Sequence, residues 1–184
     1  SDGGKYLEKN NAINHALAMI DNGADIIDVG GESTRPFSNP VSLDEEISRV
    51  IPVIEGIRNE SDVCISIDTT KAEVATAALN SGASLINDVS AMEVDPLMID
   101  VALKFDCPII IMHMKGSPKS MQDNPQYESL ISDIKDYLQE RVDFIVSKGI
   151  NSKKIVIDPG IGFGKTVENN FEIINNLNYF TKMG

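Results

Sequence analysis

Residues 25–36 read DIIDVGGESTRP, and the order of residue types in this stretch decides the fold. Ile26, Ile27 and Val29 form a short apolar run of β-forming residues around Asp28. Gly30-Gly31 then lets the backbone turn sharply off the strand and approach a ligand closely. Ser33, Thr34 and Arg35 follow with hydroxyl and guanidinium donors, in a loop stiffened by Pro36 and Pro40. The same sequence of apolar run and polar residue recurs down the chain. Residues 63–67 lead into Asp68, Leu85-Ile86 into Asn87, residues 108–111 into Met112 and His113, and residues 154–157 into Asp158. Runs that are apolar throughout belong to parallel sheets covered on both faces.

Helical periodicity fills the intervals. Ile13, Ala16, Leu17 and Ile20 recur at i, i+3, i+4 and i+7, one buried helix face, closed by Asn22-Gly23. Ser42 with Glu45 predicts a capping box for a helix whose face is Ile47, Val50, Ile51 and Ile54, with Pro52 expected to kink or loosen it. Further helices are predicted near residues 71–80, with Thr69 or Thr70 as cap and Gly82 beyond, and over 96–105. A long one follows with Leu130, Ile134, Leu138, Val142 and Ile145 on one face, and a last begins near Val167. A weak internal repeat, NGAD at 22–25 and SGAS at 81–84, precedes two of the strands.

Alternating strands and helices without a hairpin signal fit either a doubly wound open sheet or a (β/α)8 barrel. The polar residues separate the two. Asp28, Asp68, Asn87, His113 and Asp158 each fall at or just beyond the C-terminal end of a different strand. In a barrel those ends converge on one mouth, whereas in an open sheet they spread along an edge. The expected fold is therefore α/β, a (β/α)8 TIM barrel. Such a barrel takes about 250 residues. The 184 residues are read as one domain, 1–184, holding about strands 2 to 6 and lacking the first strand and the last two.

Composition narrows the partners. The formal net charge of -12 repels phosphate backbones, and Trp is absent, so neither a nucleic acid nor a stacking platform for single strands is expected. No apolar run approaches the roughly 20 residues that span a bilayer, so no membrane partner is expected. Cys64 and Cys107 read as free thiols in a reducing, cytoplasmic setting. An anionic substrate must then find locally concentrated positive groups.

The remaining motifs carry chemistry. Asn87 offers a donor pair and an acceptor suited to a heterocycle's edge, while Asp88 reads as an orienting group. Met112 is either core filler or a soft wall for a flat ring. His113, with no second ligand at metal spacing, reads as a hydrogen-bonded structural residue. IDPGIGFGKT, residues 157–166, invites comparison with the P-loop, but only three residues separate Gly160 from Gly164 where four are needed. The match fails. Asp158 is instead expected to face the mouth, beside glycines that admit a planar ligand and the ring of Phe163.

In order, SDGG at 1–4, DVGGESTRP at 28–36, SIDTTK at 66–71, INDVS at 86–90, MHMKG at 112–116 and DPGIGFGK at 158–165 resemble dihydropteroate synthase, a family of pterin-binding barrels. The resemblance covers essentially the whole chain. Phe37 departs from it, standing where the loop after STRP usually continues with Gly. The resemblance implies a transferase of folate synthesis, joining a dihydropterin methyl diphosphate to para-aminobenzoate with release of pyrophosphate. Asp158, Asn87 and Asp68 would bond the pterin ring, with Met112, Gly162 and Phe163 lining the slot. Ser33, Thr34, Arg35 and Pro36 would meet the diphosphate and aminobenzoate side. Asp68 and Arg35 would carry the catalytic electrostatics. The resemblance further implies Mg2+, held by an Asn that would precede Ser1, a homodimer, and competition by sulfonamides. The family's late Lys and its Arg-x-His would lie beyond Gly184, so residues 1–184 alone are expected to have little or no activity. Two other readings stand beside this one. A pterin-dependent methyltransferase shares the slot, but the STRP loop argues against it. A non-catalytic pterin-binding barrel is the second.

Overall fold

A computed structural model describes residues 9–34, 39–116, 121–122, 125–181 and 183. Five strands, β1 (Ile26–Gly30), β2 (Cys64–Asp68), β3 (Leu85–Asp88), β4 (Ile109–Met112) and β5 (Ile155–Asp158), form one sheet in chain order. All four neighbouring pairs are parallel. Helices α1 (Lys9–Asp21), α2 (Leu43–Glu60), α3 (Ala72–Asn80), α4 (Met98–Phe105), α5 (Leu130–Ser147) and α6 (Val167–Asn175) alternate with them. This is the predicted unit order of a (β/α) barrel wall.

Side-chain alternation splits each strand between two faces. Ile27, Val29, Ile65, Ile67, Ile86, Ile109 and Ile111 point to the helix layer and are buried there. They form the main core with Val50, Ile54 and Ile57 of α2, Val74 and Ala78 of α3, and Met98 and Val101 of α4. A second cluster, Leu130, Ile134, Leu138, Ile173 and Phe180, joins α5 to α6. The opposite, inner face carries Ile26, Asp28 and Gly30 beside Cys64, Ser66 and Asp68, as the strand register requires.

That inner face is concave. Two steps across a flat sheet separate side chains by about 9.5 Å, yet the Asn87 Nδ2 of β3 donates to Asp28 of β1, 3.2 Å from Oδ2. Curvature toward this face brings them within reach across β2, as barrel closure demands.

The repeated glycines end α1 and α3 as their spacing predicts, Gly23 at φ +94° and Gly82 at φ +113°. α2 contains Pro52 within its span. Two local readings need correction. Ser42 caps α2 by accepting from the Glu45 N–H, but the Glu45 carboxylate pairs with Arg49 one turn on, so the box is one-sided. At α3, Thr69 accepts from the Lys71 N–H, 3.2 Å, and the Ala72 N–H is taken by Asp95 from the loop before α4, 2.8 Å. Both cysteines are free thiols. Among the described residues no helix is long and apolar enough to cross a membrane.

Candidate active site

The C-terminal ends of β2 to β5 bring Asp68, Asn87, Met112 and Asp158 to the inner face, whereas Asp28 stands mid-strand in β1, two residues before its end, because the strand continues to Gly30. Asp68 and Asn87 are register partners on β2 and β3, and Met112 and Asp158 are register partners on β4 and β5. Asn87 reaches Asp28, whose Oδ1 also accepts the Ser66 hydroxyl. Burial raises the Asp28 carboxyl above the ordinary value, offset by the bonds from Ser66 and Asn87.

Asp68 is pushed further, to about 7, by burial and then by the charge of Asp28, with Asp88 and Glu46 adding to it. Gly30 makes its place. A Cβ there would lie 3.3 Å from both the Asp68 Cβ and Oδ2. No side-chain hydrogen bond links Asp68 to another described residue, so this inner-face carboxylate keeps its acceptor capacity unspent.

Asp88, one residue past Asn87, turns the other way and is fully buried. Its carboxylate accepts from the N–H and hydroxyl of Ser90 and the N–H of Met92. It holds a loop in which Ala91 and Met92 adopt φ +51° and +65°, and Arg141 of α5 donates twice to the Ala91 carbonyl. Asp88 is the orienting group expected of it.

The loop after β1 is anchored by a network that the sequence reading did not contain. Glu46 of α2 is buried, 1% exposed, and accepts from the Thr69 hydroxyl at 2.7 Å. Lys71 bridges Glu46 and Glu32, and Arg49 donates to the Gly31 carbonyl, 2.7 Å. Gly31 packs so closely on α2 that a Cβ would lie 2.9 Å from Glu46 Cγ and Val50 Cγ1. Ser33 and Thr34 follow directly on this anchored stretch, at the mouth end of β1. Arg35 and Pro36 lie outside the described residues.

The loop after β5 lies against the loop after β4. Asp158 Oδ1 accepts from the Gly160 N–H at 2.7 Å, bending the chain back over the strand end. Met112 is buried beneath it, its Cγ 3.1 Å from where a Gly160 Cβ would stand. Gly162 has nothing within 4 Å of that position, so its face is open, and Phe163 follows with its N–H bonded to the Gly160 carbonyl, 3.1 Å. His113 is buried and edge-on to Tyr137, ring centroids 5.1 Å apart. Burial and the neighbouring Lys165 hold its pKa down at about 4, so the ring is neutral.

The whole chain, residues 1–184, matches the family of pterin binding enzymes. The chain belongs to that family. It is 43% identical over 184 residues to the dihydropteroate synthase of Haemophilus influenzae, covering all of this chain and 66% of the relative. To that of Clostridium beijerinckii it is 47% identical with the same coverage. Among solved structures, a Yersinia pestis dihydropteroate synthase in complex with a sulfonamide drug superposes with TM-score 0.95 at 40% identity, covering 100% of this chain and 66% of the other. A Xanthomonas albilineans dihydropteroate synthase with 4-aminobenzoic acid gives TM-score 0.86 at 38% identity, covering 96% and 62%. The chain thus spans just under two thirds of the length of these relatives. The five parallel strands with their helices are the corresponding part of a TIM barrel.

Proposed function

We propose that this chain forms the pterin-holding part of a dihydropteroate synthase. The enzyme condenses 6-hydroxymethyl-7,8-dihydropterin diphosphate with para-aminobenzoate, giving 7,8-dihydropteroate and pyrophosphate in folate synthesis. The observation that carries the proposal is the set Asp68, Asn87 and Asp158 on one concave face, over Met112 and beside the open face of Gly162.

A reduced pterin presents adjacent N–H donors on its aminopyrimidinone edge, and a carboxylate is a matched two-point acceptor. Asp158 takes that edge. Asn87 and Asp68 bond the remaining ring nitrogens, and Gly162 with Phe163 covers the ring. When the C–O bond to the diphosphate breaks, positive charge develops on the methylene and the conjugated ring. Burial and the charge of Asp28 raise the Asp68 pKa to about 7, so near neutral pH its ionised form is available to stabilise that charge electrostatically. The arylamine nitrogen then bonds the methylene carbon and gives its proton to water or to the departing pyrophosphate, with no covalent enzyme intermediate. Ser33, Thr34, Arg35 and Pro36 serve the diphosphate and aminobenzoate side.

Mg2+ belongs to the proposal only as a neutraliser of diphosphate. No group of three or more His, Cys, Asp or Glu side chains converges to hold a metal among the described residues, and no step here runs through the ion. The proposal further includes a homodimer, a cytoplasmic location, supported by two free thiols, and sulfonamides as competitors of para-aminobenzoate. Titration with 6-hydroxymethyl-7,8-dihydropterin tests the slot, and para-aminobenzoate-dependent pyrophosphate release tests the reaction. Absence of pterin binding, or pterin-dependent methyl transfer in place of pyrophosphate release, would overturn the reading.

A further inference from the structure

Lys165 is 3% exposed, and burial lowers its pKa to about 8. Its Nζ lies 3.0 Å from His113 Nδ1, 3.2 Å from the His113 carbonyl oxygen and 2.9 Å from the Phe163 carbonyl oxygen. Three acceptors surround one nitrogen, and an ammonium carries three hydrogens. The match requires His113 to accept at Nδ1, which places its ring proton on Nε2.

These contacts join the two loops that bound the slot. Gly160, φ +72°, and Gly164, φ +64°, let the β5 loop lie directly on the β4 loop. A Cβ at Gly160 would stand 2.0 Å from the His113 carbonyl oxygen, and one at Gly164 2.4 Å from that of Lys115. Tyr127 donates to the Gly164 carbonyl at 2.7 Å, and Asn170 accepts from the Gly162 N–H at 2.9 Å. Backbone contact this close carries little side-chain packing to hold it. The directional bonds of Lys165 supply the hold.

We propose that Lys165 is a positioning residue of the pterin slot: its ammonium ties Phe163 to His113 and so sets the glycine-rich loop over the ring site. The inference rests on the pterin reading above. In this role Lys165 acts through the Phe163 carbonyl.

The test compares affinity for 6-hydroxymethyl-7,8-dihydropterin, by calorimetry, in the unmodified chain and in Lys165→Met, which keeps the stem and removes the donors. Affinity is expected to fall at least tenfold, with amide hydrogen exchange accelerated at 160–166 and unchanged in β2 and β3. Ile54→Ala, which removes core contacts on α2, is expected to lower stability with affinity within twofold. If Lys165→Met does not fold, His113→Asn and His113→Leu decide. Asn retains an acceptor near the Nδ1 position and is expected to bind within threefold, whereas Leu is expected to lose about tenfold. Unchanged affinity in folded Lys165→Met, or equal affinity in the two His113 variants, overturns the inference alone. Absence of pterin binding by the unmodified chain overturns the pterin reading and this inference together.

Discussion

The Asn87 amide nitrogen on β3 lies 3.2 Å and 3.4 Å from the two carboxylate oxygens of Asp28 on β1, spanning the strand between them. The contact gathers three strands around one polar point, with Ser66 beneath. It also sets the field in which Asp68 sits, because the Asp28 charge is the second cause of the raised Asp68 pKa.

Asp68 gives a pH-dependent prediction. Its carboxyl binds a proton more tightly in the folded state, about 7, than in the unfolded chain, near 3.8. Stability from this group is therefore full below pH 4 and is lost as pH rises through 7. Asp68→Asn removes the buried charge. The variant should be more stable than the parent at pH 8, by about 1 kcal/mol or more, since a tenfold change in proton affinity is worth about 1.4 kcal/mol. At pH 4 it should be no more stable. Urea unfolding at the two pH values measures it.

Asp158→Asn keeps an oxygen for the Gly160 N–H but replaces the other acceptor with a donor that opposes a ring N–H. A hydrogen bond to a charged group contributes about 1.5–3 kcal/mol, so pterin affinity should fall at least tenfold by calorimetry. Unchanged affinity in a folded variant reassigns Asp158 to loop closure alone.

Lys71→Met leaves Glu46 buried without its counter-charge. The expected loss is about 3 kcal/mol, the low end for a broken buried pair, because Thr69 still donates to the carboxylate. Replacing Glu46 with Leu in the same chain should recover much of that loss. A double-mutant cycle by urea unfolding reads the coupling.

The glycines of the β5 loop should separate by cost. Gly160→Ala meets the His113 carbonyl and should lower the melting temperature sharply or prevent folding. Gly162→Ala, at φ +85° with open space around it, should cost only the left-handed conformation, about 1–2 kcal/mol. Thermal unfolding of the two variants distinguishes them.

The barrel wall and its polar strand ends were legible because both depend on local pattern. Apolar runs mark the strands, and Asp68 and Asp158 close β2 and β5 where the runs stop. The fastening of the site was not legible. Lys165 and His113 stand 52 residues apart, Glu46 and Lys71 stand 25 apart, and nothing in their immediate surroundings announces the pairing. Glu46 reads as one more acid in the first turn of α2, a favourable place near a helix N-terminus. The closeness of Gly31 to α2, with the bonds from Thr69 and Lys71, places it inside. The Gly-Lys-Thr run at 164–166 was a usable signal. Once the P-loop is excluded, its lysine is left without a phosphate and needs another partner.

Asn87 and Asp88 are adjacent in sequence and face opposite sides of the sheet. Under the proposed pterin reading, ligand recognition and loop support fall to neighbouring residues with different hydrogen-bond partners, Asp28 for Asn87 and Ser90 with Met92 for Asp88. Under that reading, substitution at position 87 would alter the heterocycle edge preferred and remove the bond to Asp28, while the Asp88 shell, with Ser90 and Met92, keeps its bonds. Loss of the Asp88 carboxylate instead removes three hydrogen bonds from a loop whose left-handed residues keep the Arg141 bonds to Ala91, the Ala91 N–H bond to the Asp88 carbonyl and their place in the core. The two functions are therefore separable by substitution at two adjacent positions.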